Sequence, residues 1–189
     1  WGHPIHGFDL ARLGGSKVVV RLASEGEKMA TLDGVERTFT TDDLLICDGN
    51  GPVAVAGVMG GLDTEIREET EDVLIECAYF DPRSIRRTSR RLGLHTDSSH
   101  RFERGVDPEA IPRVLASAAS LIAELGGGAA SSTAIDRVAI PYEPKTIALR
   151  PARASQLLGT PVSKDESLRI LESLGCRILE QSYDAITAE

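Results

Sequence analysis

Short apolar runs with strand character fill the first part of the chain. Residues 17–22, Lys-Val-Val-Val-Arg-Leu, are β-branched and apolar and read as a strand. Residues 28–32 and 35–40 flank Asp33-Gly34, the strongest short-range hairpin signal. Residues 44–47 and 53–56 are apolar runs bounded by Asp, Gly and Pro, which predicts buried strands. Residues 57–61 form a glycine-rich turn whose backbone can approach a ligand closely. Residues 73–80 read as another strand, with Glu76 interrupting apolar neighbours.

The period then changes. Asp81-Pro82 opens an Arg-rich helical segment to about Leu92, and Asp107-Pro108 is an N-cap followed by Pro at the first helical position. Ile111, Val114, Leu115, Ala118, Leu121, Ile122 and Leu125 recur at helical spacing until Gly126 to Gly128 end the series. Many short strands followed by clustered helices predict an α+β fold, with a β-rich core (mixed sheet or barrel-like) and flanking helices. Residues 141–144, Pro-Tyr-Glu-Pro, read as a linker, which divides the chain into 1–142 and 143–189. Beyond it come a strand at 147–150, a helix at 152–158 ended by Gly159, a capping box at Ser163 and Glu166 before an apolar helix, and a strand from Cys176. Without an initiator Met, and stopping inside a predicted strand, the chain reads as a piece of something longer.

Composition is that of an ordinary globular protein, with 41% hydrophobic and 26% charged residues. No apolar run reaches membrane-spanning length, so no membrane partner is expected. Three widely spaced cysteines, Cys47, Cys77 and Cys176, form neither a CxxC pair nor a disulfide framework, and a reducing, cytoplasmic setting fits. A net charge of -8 argues against a protein that coats nucleic acid non-specifically. The charge is uneven, however. Arg83, Arg86, Arg87, Arg90, Arg91, Arg101 and Arg104 crowd one stretch, an array able to touch phosphate locally or to form a solvated, ion-paired face.

Residues 92–108, Leu-Gly-Leu-His-Thr-Asp-Ser-Ser-His-Arg-Phe-Glu-Arg-Gly-Val-Asp-Pro, read as one polar loop suited to a polar or anionic ligand. Glu76 is costly in its apolar run unless partnered, either by one of the arginines or by a ligand. A lone His such as His6 is more often structural than catalytic. Ser98 or Ser99 with His95 or His100 lacks the GxSxG elbow of a serine hydrolase. Cys77 lies in apolar surroundings that raise its pKa. His95 and His100 have no third metal ligand nearby in sequence, and Gly60-Gly61 lacks the Lys-Ser/Thr of a P-loop.

Four segments bring these residues together: Gly2-His3-Pro4-Ile5-His6-Gly7-Phe8-Asp9, Ala56-Gly57-Val58-Met59-Gly60-Gly61, Leu74-Ile75-Glu76-Cys77-Ala78-Tyr79-Phe80 and the polar loop. In order and spacing they closely resemble the B3/B4 region of the bacterial phenylalanyl-tRNA synthetase beta subunit, and the tail resembles the start of its B5 domain. The resemblance implies an editing site that hydrolyses tyrosyl-tRNA(Phe), within an enzyme that charges tRNA(Phe) with phenylalanine using ATP and Mg2+; for this region it implies no cofactor. By the same resemblance Glu76 contacts the tyrosine hydroxyl, His6 and Thr96 order the ester and water, and Gly60 leaves room for the aromatic ring. His95 and Ser98 line the pocket, the family usually having Ala where Ser98 stands. Arg86 and Arg90 are the candidates for tRNA contact. The implied partners are tRNA(Phe) and the alpha subunit, in a heterotetramer of two alpha and two beta chains. The alternatives are a non-catalytic module that binds tRNA or a subunit, and a free-standing domain with another substrate.

Overall fold

The computed structural model describes the backbone of residues 1–189 and the side-chain surroundings of all but Ser16. The chain divides into two compact units, Trp1–Ala134 and Ile135–Glu189.

In the first unit the strands are β1 (His6–Asp9), β2 (Val19–Leu22), β3 (Lys28–Ala30), β4 (Glu36–Thr38), β5 (Leu44–Cys47), β6 (Pro52–Val55), β7 (Met59–Gly60) and β8 (Val73–Glu76). Three helices follow: α1 (Pro82–Leu92), α2 (Asp97–Phe102) and α3 (Ile111–Gly126). The fold is α+β. Every strand pair is antiparallel, in a four-stranded sheet ordered β2-β5-β6-β7 and two-stranded ribbons β3-β4 and β1-β8. The sheets are open, so the β-rich core is not a closed barrel among the described residues. Leu45, Ile46 and Cys47 are all buried in succession, because β5 is an inner strand covered on both faces. With Phe8, Phe39, Val55, Val58, Phe80, Ile85 and Phe102 they make the core.

The expected hairpin turns at Asp33-Gly34, with Gly34 at φ 76, where L side chains are strained. Helix α1 begins after Asp81, whose carboxylate accepts from Ser84 N at 2.8 Å, and ends at the left-handed Gly93. Ile85, Thr88 and Ser89 are its buried face. Thr88 Oγ1 donates to buried Asp43 at 2.9 Å, Thr40 N donates to the same carboxylate at 2.8 Å, and Arg91 pairs with it. That network fixes α1 to the sheet.

One expectation is corrected. The polar stretch 92–108 is not one loop, because residues 97–102 fold into α2. Thr96 caps that helix, and Ser99 at its third position caps back, a reciprocal arrangement that satisfies two backbone donors at once. The helical series of α3 forms as expected, but of its apolar residues only Val114 is fully buried, while Leu121, Ile122 and Leu125 are exposed.

The second unit contains β9 (Ile147–Leu149), α4 (Pro151–Leu158), α5 (Lys164–Ser173), β10 (Ile178–Gln181) and β11 (Ile186–Ala188), with sheet order β10-β11-β9 and Ile186 fully buried. The capping box at its helix start is half formed. Ser163 accepts from Glu166 N at 3.1 Å, but the Glu166 carboxylate turns to Arg169 at 2.6 Å instead of reaching back.

Candidate functional site

The register of β1 on β8 sets His6 opposite Glu76 and Phe8 opposite Leu74. Directly opposed residues of an antiparallel pair share a face, with Cβ atoms roughly 5 Å apart. Phe8 is a core residue, so this face looks inward, and His6 and Glu76 stand at its end. The imidazole meets the Phe8 ring edge-on, with centroids 4.5 Å apart.

Glu76 has no ion-pair partner among the described residues, so the arginine-paired alternative does not hold. It is half-buried by surface area yet crowded by protein atoms, a carboxyl in a recess and not in a sealed core. Burial pushes its pKa up to about 7. Burial also lowers the pKa of His6, which favours the neutral imidazole at neutral pH. The same burial, and next Glu76, raises the Cys77 thiol, which makes it a poor nucleophile.

The Glu76 shift has a consequence for stability. Below about pH 4.5 the carboxyl holds its proton folded and unfolded alike. As pH rises from there toward 7 the unfolded chain releases the proton while the folded chain keeps it, so stability falls, by about 3 kcal/mol, and stays lower above pH 7. Glu76→Gln removes this loss. Denaturant unfolding at pH 5 and pH 8 is expected to show the variant gaining on the wild type as pH rises. Parallel pH profiles would mean that the carboxyl is well hydrated.

The glycine-rich segment is the turn of the β6–β7 hairpin. Ala54 pairs with Gly60, Gly61 N donates to Val53 O at 2.8 Å, and Leu32 N donates to Gly60 O at 3.0 Å. The His6 ring lies directly against Gly60: a Cβ there would sit 2.4 Å from His6 Cε1 and 2.9 Å from Nε2. Gly57 is constrained twice, by φ 66 and by Ile85 and Phe80, each 2.9 Å from an added Cβ.

Thr96 and Ser98 reach the same turn. Thr96 Oγ1 donates to Val58 O at 2.7 Å while accepting from Ser99 N at 3.0 Å, and Ser98 Oγ donates to Gly57 O at 3.0 Å. Their hydroxyl protons are thus committed to backbone carbonyls. Ser98 thus adds a second tie to the turn. His95 is exposed and edge-on to His100, with centroids 5.6 Å apart.

The structure therefore brings His6, Glu76 and Gly60 into one cluster, fastens Thr96 and Ser98 to the turn that carries Gly60, and leaves His95 at the surface. Phe8 borders His6, and Leu32 borders Gly60, 3.1 Å from an added Cβ; neither was singled out from sequence. Only the apolar alternation around them hints at it.

The seven arginines separate by partner. Arg91 pairs with Asp43, Arg87 Nη2 donates to Asp42 O at 3.2 Å, Arg101 to Gly2 O at 3.3 Å, and Arg104 pairs with Glu103 at 2.7 Å. Arg83, Arg86 and Arg90 are exposed and make no ion pair or side-chain hydrogen bond among the described residues. No helix is long and apolar enough to cross a membrane.

The family model of the B3/4 domain matches residues 1–127. The phenylalanine–tRNA ligase beta subunit of Geobacter metallireducens is 49% identical over 178 residues, 94% of this chain and 22% of that protein. That of Salinibacter ruber is 50% identical over 185 residues, 98% of this chain and 22% of the relative. That of Porphyromonas gingivalis is 45% identical over 190 residues, covering 100% and 23%. An N-terminal fragment of the phenylalanyl-tRNA synthetase beta subunit from Pyrococcus horikoshii superimposes with a TM-score of 0.46 at 16% identity, over 97% of this chain and 52% of the fragment. The chain spans less than a quarter of the length of the curated relatives it matches. On the matched residues, the chain belongs to the B3/4 domain family.

Proposed function

We propose that this chain is the editing region of a phenylalanine–tRNA ligase beta subunit and hydrolyses the ester joining tyrosine to tRNA(Phe). One observation carries the reading: Glu76 is an unpaired carboxyl in a recess, set beside a neutral His6. Tyrosine differs from phenylalanine by one hydroxyl, and a hydrophobic pocket rejects an added hydroxyl only by roughly a hundredfold. A second site that requires the hydroxyl removes the error. Glu76 accepts a hydrogen bond from the phenol, and phenylalanine leaves it without one, at a cost of about 1–3 kcal/mol.

No activated nucleophile stands in the cluster, so water is the attacking group and the site works by positioning it, with the ribose hydroxyls of the tRNA as further ligands. His6 lies where it orders the ester and water. Thr96, its hydroxyl tied to Val58 O and Ser99 N, acts through the turn. His95 and Ser98 border the entrance.

Charging of tRNA(Phe) with phenylalanine, and its ATP and Mg2+, belong in this proposal to the whole enzyme. The described residues gather no cluster of three or more His, Cys, Asp or Glu suited to a metal ion, and no step here is routed through one. Residues 143–189 are proposed as the start of a B5-like domain. The proposed partners are tRNA(Phe) and the alpha subunit in an assembly of two alpha and two beta chains, and the proposed location is the cytoplasm.

A second reading, a binding module without catalysis, is favoured by the unpaired Arg83, Arg86 and Arg90 and by the bare apolar face of α3. Deacylation separates the two. The full-length enzyme is expected to release tyrosine from tyrosyl-tRNA(Phe) while sparing phenylalanyl-tRNA(Phe). Retained tRNA affinity without deacylation would establish the binding module.

A further inference from the structure

We infer that Gly60 is a positioning residue for His6: its missing side chain is the seat of the imidazole beside Glu76. The inference rests on the editing reading for its catalytic consequence, but its geometry stands alone.

Two causes can demand a glycine, backbone conformation or space. Gly60 is not among the glycines with positive φ, so its backbone suits any residue. Space is the remaining demand, and His6 is what fills it. An added Cβ would come within 2.4 Å of Cε1 and 2.9 Å of Nε2, well inside contact distance. Neither partner has slack. The turn is held by Gly61 N on Val53 O, by Leu32 N on Gly60 O and by the Ala54–Gly60 pair. The ring is bounded by Phe8 on another side, and its backbone is locked in register with Glu76.

The seat also explains an otherwise costly feature. Nε2 of His6 is buried and has no hydrogen-bond partner, a position that disfavours the charged imidazolium. Nδ1 makes no hydrogen bond among the described residues and is not sealed in this way, so it is the nitrogen left to meet water or ester. Thr96 and Ser98, bonded to Val58 O and Gly57 O, hold the same turn and so support the seat from the α2 side.

Gly60→Ala tests the idea in two ways that need no activity. Histidine Cε1–H signals of the 189-residue chain are followed against pH, with His3, His95 and His100 as internal references and a His6→Ala variant for assignment. The Glu76→Gln background removes the one titrating group opposite the ring. The His6 midpoint is expected to rise toward the ordinary imidazole value in Gly60→Ala, the other three staying fixed. An unchanged His6 midpoint in a folded Gly60→Ala protein would overturn the inference.

A thermal-melt cycle covers the case in which the variant folds poorly. Gly60→Ala is expected to lower Tm when His6 is present and to cost much less in the His6→Ala background, where only the approach to the Leu32 Cδ1 methyl at 3.1 Å remains. Equal losses in both backgrounds would place the strain elsewhere and sink the seat. In the full-length enzyme, tyrosyl-tRNA(Phe) deacylation by Gly60→Ala is expected to fall on the order of a hundredfold in kcat with KM nearly unchanged, as for a misplaced reacting group. A moved His6 midpoint with unaltered deacylation would keep the seat and remove His6 from the proposed reaction.

Discussion

Glu76→Ala is expected to erase the preference for tyrosyl over phenylalanyl ester, lowering it by roughly five- to 150-fold, while leaving the fold intact. The size follows from one hydrogen bond between a phenol and a partly desolvated carboxyl, worth about 1–3 kcal/mol of discrimination. The loss should fall on the tyrosyl ester alone, since phenylalanine has no hydroxyl to lose. Glu76→Gln, which keeps an acceptor of the same shape, is expected to retain part of the preference. The fold should survive because Glu76 ties nothing together: it has no ion-pair partner, and its charge is a burden where it stands. The check is the ratio of deacylation rates for the two esters, beside a thermal melt of each variant. A variant that melts many degrees lower with the ratio unchanged would make Glu76 a structural residue.

Why Glu76 stood out in the sequence, while its neighbourhood did not, is a matter of range. A carboxylate inside Leu-Ile-Glu-Cys-Ala is conspicuous from composition alone. Its pairing with His6 depends on the β1–β8 register, set between strands far apart in the chain, and no local pattern carries that. Local signals did better. Asp33-Gly34 made its hairpin and Asp81-Pro82 started its helix, because turn and cap chemistry is decided within four residues. Helix α2 escaped since so short and polar a segment has too little apolar periodicity to announce a helix, and what fixes it is the Thr96–Ser99 cap together with the bond from Thr96 to Val58. Gly60 read as a glycine that leaves room for a ligand, but that an added Cβ there would meet the His6 ring depends on long-range packing that no local pattern carries. For α3 the amphipathic period was legible, but a period says only that a face is apolar, not that anything covers it.

The arginines of α1 lead to the second large effect expected. Structural pairing withdraws Arg91 to Asp43 and Arg87 to Asp42, leaving Arg83, Arg86 and Arg90 exposed, on a helix without one acidic residue. Like charges three and four positions apart oppose helix formation by about 0.2–0.5 kcal/mol per pair, so an uncompensated stripe weakens the helix unless an anion meets it. Three guanidinium forks spaced along about two helical turns suit phosphates better than a single carboxylate. In the full-length enzyme, Arg86→Ala/Arg90→Ala is therefore expected to weaken tRNA(Phe) binding. The log–log slope of affinity against salt should also become shallower, by roughly one unit for each phosphate that the variant no longer neutralises. The melting temperature should hold or rise slightly, because removing two of the like charges relieves their repulsion. Surface pairing alone predicts the opposite pattern, with affinity and slope unmoved. Salt titrations of wild type and double variant giving identical slopes would assign the stripe to solvent and take the tRNA away from this face of α1.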